Sequence, residues 1–152
     1  MKTFTKILLF AIVANLTIGS TAFGQIALRA SSTGTSANSP TSINKPAGVV
    51  SGDIMIANIA NDNNGGAATC AGWTLISTTS PGGGGITLLY KIAGGAEPAS
   101  YSFATSGNPI AGAIVAFSGV DNATPFDVAN GNWSTGSGTT ATAASKTTVT
   151  AN

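Results

Sequence analysis

An all-β fold, an antiparallel β-sandwich of jelly-roll-like form, is what this sequence predicts, and three observations predict it. Apolar runs beyond residue 24 are short and alternate or stay continuous over strand lengths, with no helical periodicity. Gly, Pro, Asn and Ser recur between those runs too often for long helices, and 20 glycines follow no three-residue period. Charged residues make up 7% of the 152-residue chain, far below the roughly 25% of an ordinary globular domain. That composition excludes a coiled coil, a charge-driven disordered tail and a basic nucleic-acid module. A barrel fits less well than a sandwich, because two runs read as buried on both faces. A solenoid would need a repeat of fixed period.

The first 24 residues read as a secretory signal. Lys2 and Lys6 precede the apolar run Ile7–Ile18, broken only by Asn15 and Thr17, and small residues stand at Ala22 and Gly24. Positive start, short apolar stretch and small-x-small site form the layout of a cleavable leader, and a membrane anchor would need about 20 apolar residues. Cleavage is expected near Gly24, which makes the protein secreted or cell-surface, with no membrane span in the mature chain. Residues 25–152 then carry four bases (Arg29, Lys45, Lys91, Lys146) against five acids (Asp53, Asp62, Glu97, Asp121, Asp127). So balanced a surface does not steer toward nucleic acid.

Along the mature chain, Ile26–Ser31 alternates as a first strand, and Ser32–Ser39 is a small polar loop or edge segment. Thr41–Lys45 is a short strand stopped by Pro46, and Pro46–Asp53 turns the chain into the next. Asp53–Ala60 is apolar on both faces, the pattern of a central strand covered above and below. Asn61–Gly66 is a loop of residues that tolerate positive φ. Gly72–Thr78 is a strand with Trp73, Leu75 and Ser77 on one side, followed by a glycine-rich loop. Ile86, Leu88, Tyr90 and Ile92 share one face of the next strand, with Thr87, Leu89 and Lys91 opposite. Ser100–Phe103 alternates, and Ala113–Ser118 is a second two-sided strand. Gly131–Asn152 is Ser, Thr, Ala and Gly, with one β-favourable run at Thr147–Thr150. Trp73, Tyr90 and Phe117, all on strands, are expected in the core.

Several islands occur in a recognisable order: Pro46–Asp53, Gly72–Leu75, Tyr90–Ala93, Glu97–Phe103, Ala116–Asp121 and Pro125–Val128. In that order they resemble a β-sandwich module recurrent in secreted bacterial surface proteins and some phage tail-associated proteins. The resemblance spans residues 26–150 and implies an extracellular structural or adhesive module joined to other domains or copies of a surface protein. It brings no catalytic residues. Such modules continue with further apolar strands, so residues 25–152 are expected to be a C-terminally truncated domain lacking its last strands.

Chemistry has little to work with. The chain has no His, which removes Ser–His and Cys–His nucleophile pairs and most metal centres. Five acids permit a glycosidase-like carboxylate pair, but nothing in the sequence places two of them in one cleft. Catalysis is therefore not expected, and no cofactor is implied beyond a candidate Ca²⁺ set of Asp121, Asn122 and Asp127. Those three lack the dense alternating spacing of a dedicated calcium loop. Asp53 reads as a turn-fixing carboxylate, and Glu97 as part of a turn with Lys91 as its surface partner. Cys70 reads as a small buried hydrophobe rather than half of an intermolecular disulfide.

Binding has one candidate centre. Trp133 sits among loop-forming residues, where its ring stacks on a sugar if exposed, with Asn130 and Asn132 as hydrogen-bonding amides. The competing reading packs Trp133 over the sandwich edge. Asn122-Ala123-Thr124 and Asn132-Trp133-Ser134 match glycosylation sequons. The two functions carried forward are a structural or adhesive surface module and a carbohydrate-binding module that takes glycans. The leader generates the first testable expectation: intact mass of the exported protein should place its N-terminus at Gln25, and exported material retaining residues 1–24 contradicts it.

Overall fold

The structure, a computed structural model, describes residues 25–62, 66–79, 84–107, 109–128 and 147. Seven strands run in order: β1 (Ala27–Ser36), β2 (Thr41–Asn44), β3 (Ile54–Asp62), β4 (Thr74–Thr79), β5 (Gly84–Ile92), β6 (Ser100–Phe103) and β7 (Ile110–Ser118). They form a five-stranded sheet of order β1-β7-β3-β5-β4 and a two-stranded sheet β2-β6, antiparallel throughout. The predicted all-β, antiparallel sandwich-like class is the observed one, and no helix occurs among the described residues.

The core lies between the two sheets. Met55, Ala57 and Ile59 of β3, Leu89 of β5, and Ile114 and Ala116 of β7 supply the large sheet's buried face, and Ile43, Tyr101 and Phe103 supply the small sheet's. Trp73 closes one side, its ring edge-on to Tyr101 at 5.1 Å and to Phe103 at 5.2 Å. Burying side chains of this size stabilises the fold by about 1.5–3 kcal/mol each.

Register decides which face is inside, because successive strand residues point to opposite sides. Ala57 stands opposite both Leu89 and Ile114, so β5 turns Thr87 and Leu89 inward and leaves Ile86, Leu88, Tyr90 and Ile92 on the outer face. Tyr90 and Phe117 are thus half-buried on the outer face rather than in the core, and Tyr90 meets Phe126 edge-on at 4.9 Å. The half-polar face of β5 is the buried one because Thr87 has partners there: its hydroxyl accepts from the Ala68 amide at 2.9 Å and meets the Thr78 hydroxyl at 3.4 Å. Cover over the outer face is local. Ile54 at the start of β3 is buried there, whereas Asn58 and Ala60 further along the strand are exposed.

Other differences are local. β1 continues through Ser36, so the small polar stretch after Ser31 is strand up to that residue. Trp73 is buried just ahead of β4, while Leu75 is 51% exposed, and a bulge between Leu75 and Ser77 breaks the expected common side. Cys70 is half-buried against the core with its thiol free. The C-terminal stretch from Gly131, including the run to Thr150, lies outside the described residues except for Thr147.

Two glycines let the small sheet approach the large one. Gly34 of β1 and Gly112 of β7 are direct cross-strand partners on the inner face. A Cβ on Gly34 would stand 2.7 Å from the Ser42 carbonyl oxygen and 2.9 Å from Ile43 Cγ1. A Cβ on Gly112 would collide with Ile59 Cδ1 and stand 3.0 Å from both the Asn58 oxygen and Ile43 Cδ1. Ile43 and Ile59 are almost fully buried and have little room to move away. Gly112→Ala is therefore expected to lower stability by about 1–3 kcal/mol, read by denaturant unfolding, although alanine suits a strand better than glycine. An unchanged midpoint would show that Ile43 and Ile59 can repack.

Candidate functional site

Three carboxylates carry most of the polar chemistry in the described residues, and each is engaged with the chain around it. At the β1 bulge Leu28 pairs with Phe117 and Ala30 with Ala116, leaving Arg29 as the extra residue. A bulge re-aims a side chain, and here the guanidinium meets Asp53 through two bonds of 2.9 Å. The Val50 amide donates to the same carboxylate at 2.9 Å, while the Asp53 amide donates to the Val50 carbonyl at 3.2 Å. Gly52, at φ 91°, takes the left-handed conformation that closes this turn. Burial pushes the Asp53 carboxyl up, but Arg29 and the Val50 amide outweigh it and hold it below the usual carboxylate range. The expected turn-fixing role of Asp53 is seen; Arg29 as its partner is the addition.

Glu97 forms the second knot. Its Oε1 accepts from the Gly94 amide at 2.7 Å and lies 3.4 Å from Lys91 Nζ, and its Oε2 accepts from the Tyr101 hydroxyl at 2.8 Å. Lys91 is the partner foreseen in sequence, but the pair is not a surface one, because the Glu97 side chain is only 7% exposed. Burial alone would raise the Glu97 carboxyl; the Gly94 amide, Tyr101 and Lys91 together bring it below its ordinary value. Tyr101 moves the other way, raised by burial and by the neighbouring carboxylate. Burial also pushes the Cys70 thiol up, which disfavours the reactive thiolate.

Asp121 is the third. Its Oδ1 accepts from the Ala123 amide at 2.9 Å and its Oδ2 from the Thr124 hydroxyl at 2.7 Å, the bonding of a side-chain-closed turn. These bonds hold its carboxyl below the usual range. Asn122 rests near the Gly52 turn, and Asp127 is exposed. Among the described residues no three His, Cys, Asp or Glu side chains gather as a metal-binding group. Asn130, Asn132 and Trp133 lie outside the described residues.

A shallow cavity of about 490 Å³ opens where β1, β3 and β7 meet, lined by residues that include Thr35, Ser36, Ala60, Asn61, Asp62 and Ile110. None of the three carboxylate knots borders it. Nothing in the sequence singled out this place, because its walls come from strand ends far apart in the chain. Among the described residues no helix is long and apolar enough to cross a membrane. No family model, curated protein or solved structure matches the chain.

The Asp53 and Glu97 knots are expected to limit stability at both ends of the pH range. Asp53 and Glu97 have lowered folded values, so their contribution is complete above the ordinary carboxyl values of about 4 and is lost as pH falls through the lower folded ones. Tyr101 has a raised folded value, so its contribution is complete below about pH 10 and is lost as pH rises beyond that. Thermal unfolding should therefore show a stability plateau falling at both ends. Glu97→Gln should flatten the acid limb and Tyr101→Phe the alkaline limb; limbs unchanged in both variants would remove these groups as the cause.

Proposed function

We propose that this chain is a non-catalytic extracellular module with a structural or adhesive role, exported from a bacterial cell by its N-terminal leader. The observation that carries this reading is the use of its carboxylates. Asp53, Glu97 and Asp121 are each saturated by bonds that close a turn or join strand ends. A general acid or base needs a proton-transfer route to a bound substrate, and these groups instead face amides, a hydroxyl or a cation of their own chain. The absence of His and the near-neutral charge support the same reading. An antiparallel scaffold with turns held by partly buried ion pairs suits a unit that presents or spaces other parts of a surface protein.

The experiment pairs a glycan array with a hydrolase substrate panel, both run on the exported protein. Under this proposal no substrate turns over and no glycan binds saturably, while the protein remains associated with the cell surface or medium. Turnover of a substrate overturns it. Saturable glycan binding lost in Trp133→Ala replaces it with the carbohydrate-binding reading.

A further inference from the structure

An antiparallel sheet with one face in water carries polar and charged residues on that face. The outer face of the large sheet departs from this. Its rows run straight across the strands: Leu28, Phe117, Ile54 and Ile92 at one end, then Val115, Ile56 and Tyr90, then Ala113, Asn58 and Leu88. From the Ile54 row to the Ala60 row, β1, β7, β3 and β5 place no charged side chain on this face. Arg29 turns to Asp53 at the bulge, and Asp62 stands at the end of β3, beyond the Ala60 row.

Cover over these rows is partial. Ile54 is buried, and Tyr90 meets Phe126, which is itself 37% exposed. Leu28 is 67% exposed, Asn58, Ala60 and Ala111 are exposed, and Ile56, Leu88 and Val115 are half-buried. The small sheet turns a different surface outward, with Ser42, Asn44 and Ser102 exposed. A contiguous apolar surface on one side of a domain marks an interaction site.

We propose that the outer face of the five-stranded sheet is a self-association surface, on which the same face of a second copy packs sheet against sheet about a two-fold axis. Area and charge both favour a second copy. With strands about 4.8 Å apart and about 3.3 Å per residue, the face covers about 1,300 Å² over two copies, above the roughly 1,000 Å² that a specific interface needs. An uncharged face is matched by another uncharged face, and a two-fold axis brings this one onto itself with no like charges opposed between the Ile54 and Ala60 rows. Aligned packing of two sheets is also how the inner face of the same sheet is covered. This inference is independent of the adhesive reading.

Sedimentation velocity of the exported protein over about 10–200 μM tests it. The wild type should dimerise, and Asn58→Lys at the middle of the face and Leu28→Lys at its end should each weaken the dimer at least about tenfold. Both positions are exposed, so both variants should keep the near-ultraviolet signal of buried Trp73. Ser102→Lys, on the outward side of the small sheet, adds the same charge and should leave the dimer intact. A wild type monomeric across the range overturns the proposal. So does a dimer that persists in both Asn58→Lys and Leu28→Lys, or one that Ser102→Lys weakens equally.

Discussion

The facing glycines of β1 and β7 are the constraint on which the rest of the structure depends. Sheets normally pack about 10 Å apart with interdigitating side chains. At Gly34 and Gly112 there is no side chain to interdigitate, so the backbone of β2 comes close enough to place Ile43 directly on the large sheet. Ile43 and Ile59 then converge, both almost fully buried, over Gly112, and a two-stranded sheet becomes a sufficient lid for that part of the core. Such a small sheet contributes few side chains, and close approach makes each count for more, since a gap of even a fraction of an ångström forfeits much of the dispersion contact.

The ion pairs complete what packing begins. Arg29, thrown out of register by the β1 bulge, reaches the buried Asp53 and ties the first strand to the turn that starts the central one. The Gly52 amide and Asp53 carbonyl bond in turn to Ala93, just beyond β5. Glu97 then binds the 94–97 turn to Lys91 on one side and Tyr101 on the other, and Tyr101 packs against Trp73. Polar knots and aromatic cluster therefore form one connected region at this end of the sandwich. Two carboxylates buried in a chain with so few charges have structural work to do, and that is the basis of the non-catalytic reading.

Much of the strand plan was legible in the sequence, because alternation and turn residues are local signals. Thr41–Asn44 and Ser100–Phe103 stand where their patterns put them, and the two runs apolar on both faces are β3 and β7, adjacent and central in the large sheet. The polar segment after Ser31 was harder, since small hydroxylated residues serve a loop or an edge strand equally well. Pairing with β7 from Ser31 through Ser36 resolved it as strand. Of the candidate sites, Asp53 and Glu97 were legible as turn residues through their Gly and Pro neighbours. The open cavity at Asn61 and Ile110 was not, because strand order alone assembles it.

The sequence by itself determined the fold class, the approximate strand positions and the poverty of catalytic groups, all of which follow from composition and short-range pattern. Tertiary structure decided which face of each strand is inside. Ile86, Leu88 and Tyr90 form the more apolar face of β5, yet Thr87 and Leu89 are buried, because the register of β5 against β3 sets the direction and partners at Ala68 and Thr78 satisfy the hydroxyl. It also decided that Arg29 meets Asp53, 24 residues away, and that Gly34 meets Gly112. These are relations between distant segments, and no local pattern encodes a distance across the fold.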